Sequence, residues 1–200
     1  MEHTLEVRWF SPGAPPASVV DWITGLGAEE ESARTDLYLV STDPAMNVKL
    51  RDGMIQTKRR LAEPAPIAFR DDVRGLKERW VKWSFATRNR PDLLANDSTG
   101  LWHPVHKERL QREVPPDEQA ALLEGVQAAS AANAVLECTF VQSGGTKAWT
   151  VCMEAEGEPG ALASTLATMG RSLFAQRRPP ALESSASFGY AQWLARHVHD

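Results

Sequence analysis

Residues 47–60, NVKLRDGMIQTKRR, place five cations, Lys49, Arg51, Lys58, Arg59 and Arg60, around an Asp52-Gly53 turn. Successive strand residues point to opposite faces, so Lys49 and Arg51 share a face before the turn, and Lys58 and Arg60 share one after it. Arg59 falls on the other face. Lys82 in ERWVKWSF, and Lys107 and Arg109 in LWHPVHKERLQRE, repeat the pattern. Carboxylates alternate in the same way: Glu6 stands two before Arg8 near the N-terminus, and Glu137, Glu154 and Glu156 lie near the end. A wall of Lys and Arg suits a phosphate chain, because Arg offers a bidentate fork and Lys a point charge to its oxygens. Carboxylates among those cations suit a hard divalent ion such as Mg2+ or Mn2+, which takes oxygen ligands and bridges phosphates.

Alternation and turn signals define the elements that must position these groups. A first strand over His3–Phe10 sets Leu5, Val7 and Trp9 against Thr4, Glu6, Arg8 and Phe10. Pro15 and Pro16 open a short helix carrying Val19, Val20, Ile23 and Leu26, which stops near Gly27. Arg34–Val40 is a second strand, with Arg34, Asp36 and Tyr38 on one face, and the basic hairpin supplies the third and fourth. Residues 62–77, with two prolines and the run RDDVRG, read as a long excursion. ERWVKWSF is the fifth strand, 87–100 a polar loop, and LWHPVHKERLQRE the sixth, with Pro104 marking an edge or a bulge. A helix over 115–130 precedes a hairpin, AVLECTFV and KAWTVCMEAEG, in which Gln142 faces Lys147 and Glu137 faces Cys152. Helices near 160–176 and 185–199 finish the chain.

That order predicts one α+β domain over residues 1–200, built on an antiparallel sheet large enough to close on itself. Polar residues gather on one face of each strand and apolar residues on the other. Since the helices need an apolar surface to pack on, the apolar face is expected outside and the charged face inside. Desolvating an unpaired cation costs several kcal/mol, so such an interior requires water and a polyanion. Removing any one of its cations should then relieve repulsion.

The chain has 200 residues, 42% of them hydrophobic, and a net charge of −4, with a basic segment from Lys49 to Arg112 and an acidic remainder. Such segregation fits an anionic ligand, a nucleic-acid patch or solvated strands. No run approaches the ~20 apolar residues of a membrane helix, and MEHTLEVRWF lacks the layout of a signal peptide, so a cytoplasmic protein without membrane partners is expected. Cys138 and Cys152 fall on opposite faces of the last hairpin and are expected to stay unpaired. His103 and His106, three apart on a strand, face opposite ways and make no metal pair. Neither a phosphate-binding Gly-rich loop nor a Ser-His-Asp arrangement is present.

Taken in order, the motifs resemble the CYTH superfamily, the triphosphate tunnel metalloenzymes. TLEVR sits where that family has Glu-x-Glu-x-Lys, and RTDLYL is similar to its Asp-x-Tyr strand. VKLRDGMIQTKRR resembles its paired basic positions, HKERLQRE its basic sixth strand, CMEAEG its late Glu-x-Glu, and SFGYAQWL its C-terminal helix. The resemblance implies a closed, eight-stranded antiparallel β-barrel with flanking helices, whose tunnel binds a triphosphate and a divalent metal. It places Glu6 and Arg8 at catalytic positions and Lys49, Arg51, Lys58, Arg60, Lys82, Lys107 and Arg109 on the substrate. Glu6, Glu154 and Glu156 would hold Mg2+ or Mn2+. The implied partner is a small-molecule triphosphate or polyphosphate and not a nucleic acid. The chain departs from the pattern at Thr4, where the family has its first carboxylate, and at Arg8, where it has lysine. Three readings stand at this point: a metal-dependent phosphohydrolase, a phosphate-ligand binder without turnover, and an RNA-binding module on an open sheet.

Overall fold

A computed structural model describes residues 1–39, 41–87, 100–116, 118–119, 132–177 and 180–197. In chain order the elements are β1 (Glu2–Pro12), α1 (Ala17–Thr24), β2 (Glu29–Leu39), β3 (Met46–Arg51), β4 (Met54–Arg60), β5 (Ala65–Arg70), β6 (Val73–Ala86), β7 (Trp102–Val114), β8 (Ala132–Ser143), β9 (Thr146–Gly157), α2 (Leu162–Gln176) and α3 (Tyr190–His197). The strands run antiparallel in the order β1-β9-β8-β7-β2-β3-β4-β6, and pairing of β1 with β6 closes eight of them into a barrel. The expected α+β barrel is therefore present. The predicted helix over 115–130 and the loop over 87–100 fall largely outside the described residues.

One expectation is corrected. Residues 62–77 are not an excursion: Ala65–Arg70 forms a ninth strand, outside the barrel, that folds back on the first residues of β6. Pro66 misled the reading, because a proline within a run suggests a non-strand position. β5, however, is an edge strand paired only with β6, where a missing N–H is tolerated.

The charged-inside, apolar-outside inversion holds. Leu5, Val7 and Trp9 of β1, Leu136 and Cys138 of β8, and Val151 and Met153 of β9 point outward into one buried cluster with Val19, Trp22 and Ile23 of α1 and Leu166, Met169, Leu173 and Phe174 of α2. Each such side chain contributes roughly 1.5–3 kcal/mol by leaving water. The core thus lies between the barrel wall and its helices, which frees the interior for charge.

A second cluster closes one end of the barrel. Phe10, Tyr38, Val105, Val141 and Ala148 share strand faces with the interior charges, and they pack on Trp193 and Leu194 of α3. The segment leading into α3 also seals the seam where β1 and β6 diverge beyond the Val7–Lys77 pair. There the Phe188 N–H donates to the Arg8 carbonyl at 3.0 Å, and the Leu76 N–H donates to Ser187 Oγ at 2.8 Å. The tunnel is blind at this end.

Candidate functional site

The barrel encloses a cavity of about 420 Å³. Its position follows from alternation, since each strand contributes every second residue. β1 presents Thr4, Glu6 and Arg8; β3 presents Asn47, Lys49 and Arg51; β7 presents Lys107, Arg109, Gln111 and Glu113; and β9 presents Cys152, Glu154 and Glu156. The tight turn that joins β3 to β4 fixes the register of the basic hairpin. Asp52 and Gly53 both adopt positive φ, 49° and 71°, the two-residue geometry that matches strand twist. Lys58 and Lys82 then come into register on β4 and β6.

Every predicted site residue except Arg60 lines this cavity: Glu6, Arg8, Lys49, Arg51, Lys58, Lys82, Lys107, Arg109, Glu154 and Glu156. Arg60 stands outside the lining, its Nη1 2.9 Å from Glu78 Oε1 and its guanidinium 5.9 Å from the Trp80 ring centroid. The expectation of bare cations is also corrected. The lining carries eight Lys and Arg against six Glu, and most of the cations already have partners.

Three carboxylates organise those partners. Asp36 is fully buried, and its Oδ2 lies 2.9 Å from Lys107 Nζ and 3.4 Å from Lys49 Nζ, with Arg34 at 3.5 Å from its other oxygen. Burial raises the Asp36 carboxyl, but these cations outweigh it and hold it well below the usual range. Glu137 accepts from Arg8 at 3.0 Å and lies 3.8 Å from Arg109; burial pushes it up, Arg8 more than reverses that, and it settles at about 2. Glu6 lies directly across from Glu154 on one side and from Glu78 on the other, and like charges so placed repel. Lys58 Nζ relieves the first pair, 3.3 Å from both Glu6 Oε2 and Glu154 Oε1, and Arg60 relieves Glu78. Burial, then Glu6, still pushes the Glu78 carboxyl up to about 7. Glu156 lies apart from this knot, across from Thr4. Near the open end, burial and then the charge of Glu154 raise its carboxyl.

The charge is not evenly spread. On the contiguous strands β4, β6, β1 and β9 the lining charges are Glu6, Glu154 and Glu156 against Arg8, Lys58 and Lys82. On the opposite arc, β8, β7, β2 and β3, they are Arg34, Lys49, Arg51, Lys107 and Arg109 against Glu31, Glu113 and Glu137. One wall holds as many carboxylates as cations and the other is net basic. At the blind end Lys107 sits against the rings of Tyr38 and Tyr190, 4.8 and 4.2 Å from their centroids, and donates to Tyr38 OH at 2.6 Å. Burial lowers its ammonium to about 8. Several buried polar atoms of the lining have no partner among the described residues: Thr4 Oγ1, Arg8 Nε, Trp80 Nε1, Arg109 Nε and Tyr190 OH.

Asp36, Arg34, Tyr38, Glu78 and Tyr190 were not gathered from the sequence as site residues. For the first three the signal was available, since they alternate on one face of β2 beside Lys49 and Lys107. Glu78 shares its face with Lys82 and stands first in the ERWVKWSF strand, so the signal was available there too. Nothing local places Tyr190 inside a barrel. Cys138 and Cys152 are free, on opposite faces as expected. No helix among the described residues is long and apolar enough to cross a membrane. No family model matches the chain, and no curated protein matches it significantly.

Proposed function

We propose that the blind tunnel binds a triphosphate-bearing or polyphosphate anion together with a divalent cation, and that the chain is a divergent relative of the CYTH superfamily its motifs resemble. The observation that carries this reading is the division of one cavity into a wall that gathers Glu6, Glu154 and Glu156 around cations in equal number and a wall that is net basic. A simple anion would be served by cations alone. A ligand that brings charges of both signs, a metal ion on a phosphate chain, matches both walls at once. The unpartnered donors, Arg8 Nε, Arg109 Nε, Trp80 Nε1 and Tyr190 OH, support it further, because buried donors without partners are rare unless a ligand or water completes them. Cations turned inward around a closed barrel give no support to RNA reading on an open sheet.

The residues present fit a divalent ion. Lys58 Nζ already sits between Glu6 and Glu154, so that pair draws a cation into its midst. Mg2+ or Mn2+ is commonly held by one or two carboxylates plus phosphate oxygens, and Glu6 and Glu154 supply that number, with Glu156 further toward the mouth. Such an ion would neutralise phosphate charge. The chain's own groups do the rest. Arg51, Lys82 and Lys49 meet the incoming phosphates, while Arg8 and Arg109, anchored through Glu137, turn their remaining N–H groups to the innermost one. Tyr38, Tyr190 and α3 exclude water from the blind end. Metal-dependent hydrolysis of the phosphoanhydride is the chemistry this arrangement serves. Thr4, in place of a carboxylate, thins the metal site and makes turnover slow relative to binding.

Calorimetric titration with tripolyphosphate, with and without Mg2+, tests the reading. One site per chain is expected, tightened by Mg2+, and Arg51→Ala should weaken it by about 1.5–3 kcal/mol, the worth of a charged hydrogen bond. No binding in either condition would overturn it.

A further inference from the structure

Glu6, Cys152 and Glu154 offer one donor atom each, all within 4.8 Å of one another. They come from adjacent strands: Glu6 pairs across with Glu154, and Cys152 lies one inward step from Glu154, across from Arg8. We propose that Cys152 is a metal ligand, and that Glu6, Cys152 and Glu154 form a mixed thiolate–carboxylate site that prefers a thiophilic divalent cation, Zn2+, to Mg2+.

The donor set decides the preference. Mg2+ demands oxygen donors, whereas Zn2+ accepts sulfur at about 2.3 Å and carboxylate oxygen at about 2.0–2.2 Å in a tetrahedron. Three donors this close need only a small inward closure to reach one ion. They leave the fourth position facing the cavity, the layout of a site that takes water or a ligand atom. A second observation points the same way. Thr4 is 1% exposed, shares the inward face of β1 with Glu6, and its hydroxyl has no partner among the described residues. Thr4 stands one inward-facing step mouthward of Glu6, across from Glu156, and a water on the mouthward side of an ion held by Glu6 and Glu154 would give that hydroxyl a partner. Lys58, 3.3 Å from both carboxylates, marks where positive charge already gathers. Metal entry displaces its ammonium from between them. As the sulfur–metal bond forms, the thiol gives its proton to solvent, one per ion bound, with no change of oxidation state.

This assignment deepens the metal half of the function proposed above, and its test uses metal alone, so the two fail separately. Metal-free protein is titrated with ZnCl2 and with MgCl2 by calorimetry in two buffers to count protons. CoCl2 serves as a probe whose sulfur-to-metal charge-transfer absorption reports a thiolate ligand. The wild type should bind one Zn2+ at this site, release one proton and show the cobalt band. Cys152→Ser should lose the band and bind Zn2+ at least about tenfold more weakly, no less than the loss of an outer-sphere partner costs. Its Mg2+ affinity should be unchanged. Cys138→Ala, altered on the outer face, should keep both. A wild type without a thiolate band, or equal Zn2+ affinity in Cys152→Ser, overturns the proposal. Should Cys152→Ser fail to fold, the wild-type band compared with that of Cys138→Ala decides. Mg2+ binding without Zn2+ preference removes only the Cys152 ligand; tripolyphosphate binding with no metal uptake removes the metal half of both readings.

Discussion

At the scale of single residues, ion pairing sets the sign of every effect in the tunnel. A wall of bare cations predicts that removing Lys58 relieves repulsion, but Lys58 is what separates Glu6 from Glu154. Lys58→Ala leaves two carboxylates facing each other in a buried site and should cost about 3 kcal/mol, the usual result of orphaning half of a buried pair. Under the proposed metal site Mg2+ should restore part of that loss, because a divalent ion would take the ammonium's place; urea unfolding with and without Mg2+ measures both. Glu137 makes a pH prediction. Burial raises its carboxyl, Arg8 more than reverses that, and the folded value of about 2 lies below the ordinary 4.5. A depressed carboxyl contributes stability that is complete above the unfolded value and lost as pH falls through the folded one. Unfolding free energy should therefore decline between about pH 4.5 and 2, and Glu137→Gln should flatten that slope while lowering stability at neutral pH. An unchanged slope in the variant would place the acid sensitivity elsewhere.

At the scale of elements, two contacts test how the barrel is clothed and registered. Gly170 lies inside α2, where alanine would ordinarily favour a helix by roughly 1 kcal/mol. Here a Cβ would collide with the Phe69 ring, which is itself wedged against Trp9 and Phe174. Gly170→Ala should thus destabilise by about 1–3 kcal/mol, as overpacking does, and lower the melting temperature instead of raising it. The β3–β4 hairpin carries the second test. Arg59 is exposed on the outer face while Lys58 points inward, one residue away. Arg59→Ala should leave tripolyphosphate affinity and stability within about 0.5 kcal/mol of wild type, the range of ordinary surface changes. An effect equal to that of Arg51→Ala would mean the hairpin register differs by one.

At the scale of the whole molecule, the helix α3 makes the tunnel an inlet with one mouth. Under the proposed function a phosphate chain would enter end-first, and only the units between the mouth and Tyr190 would meet both walls. Affinity for linear polyphosphates should rise with chain length and then level off once the added units lie beyond the lining cations Lys49, Arg51 and Lys82. Competition titration with chains of defined length measures this. A steady rise with length would point to an external basic surface in place of the tunnel.

The sequence alone determined what alternation can determine. Period-two patterning set the strand faces, Asp52-Gly53 set a two-residue hairpin, and the charged-inside inversion followed from where Leu, Val and Trp had to go. Those are local signals, each read within a few residues. Three things were settled only in three dimensions. Pro66 concealed β5, because whether a strand lies at an edge depends on its neighbours and not on its own residues. The matching of Asp36 to Lys49 and Lys107, and of Glu137 to Arg8 and Arg109, depends on which strands adjoin when the sheet closes. Lys58 reaches Glu6 and Glu154 across the barrel, a meeting of residues 52 and 96 positions apart. Closure also seats Tyr190 at the blind end, where no pattern in SFGYAQWL could have placed it. Charges of one sign can be counted in a sequence; which opposite charge answers each is decided by the curvature that brings distant strands to face one another.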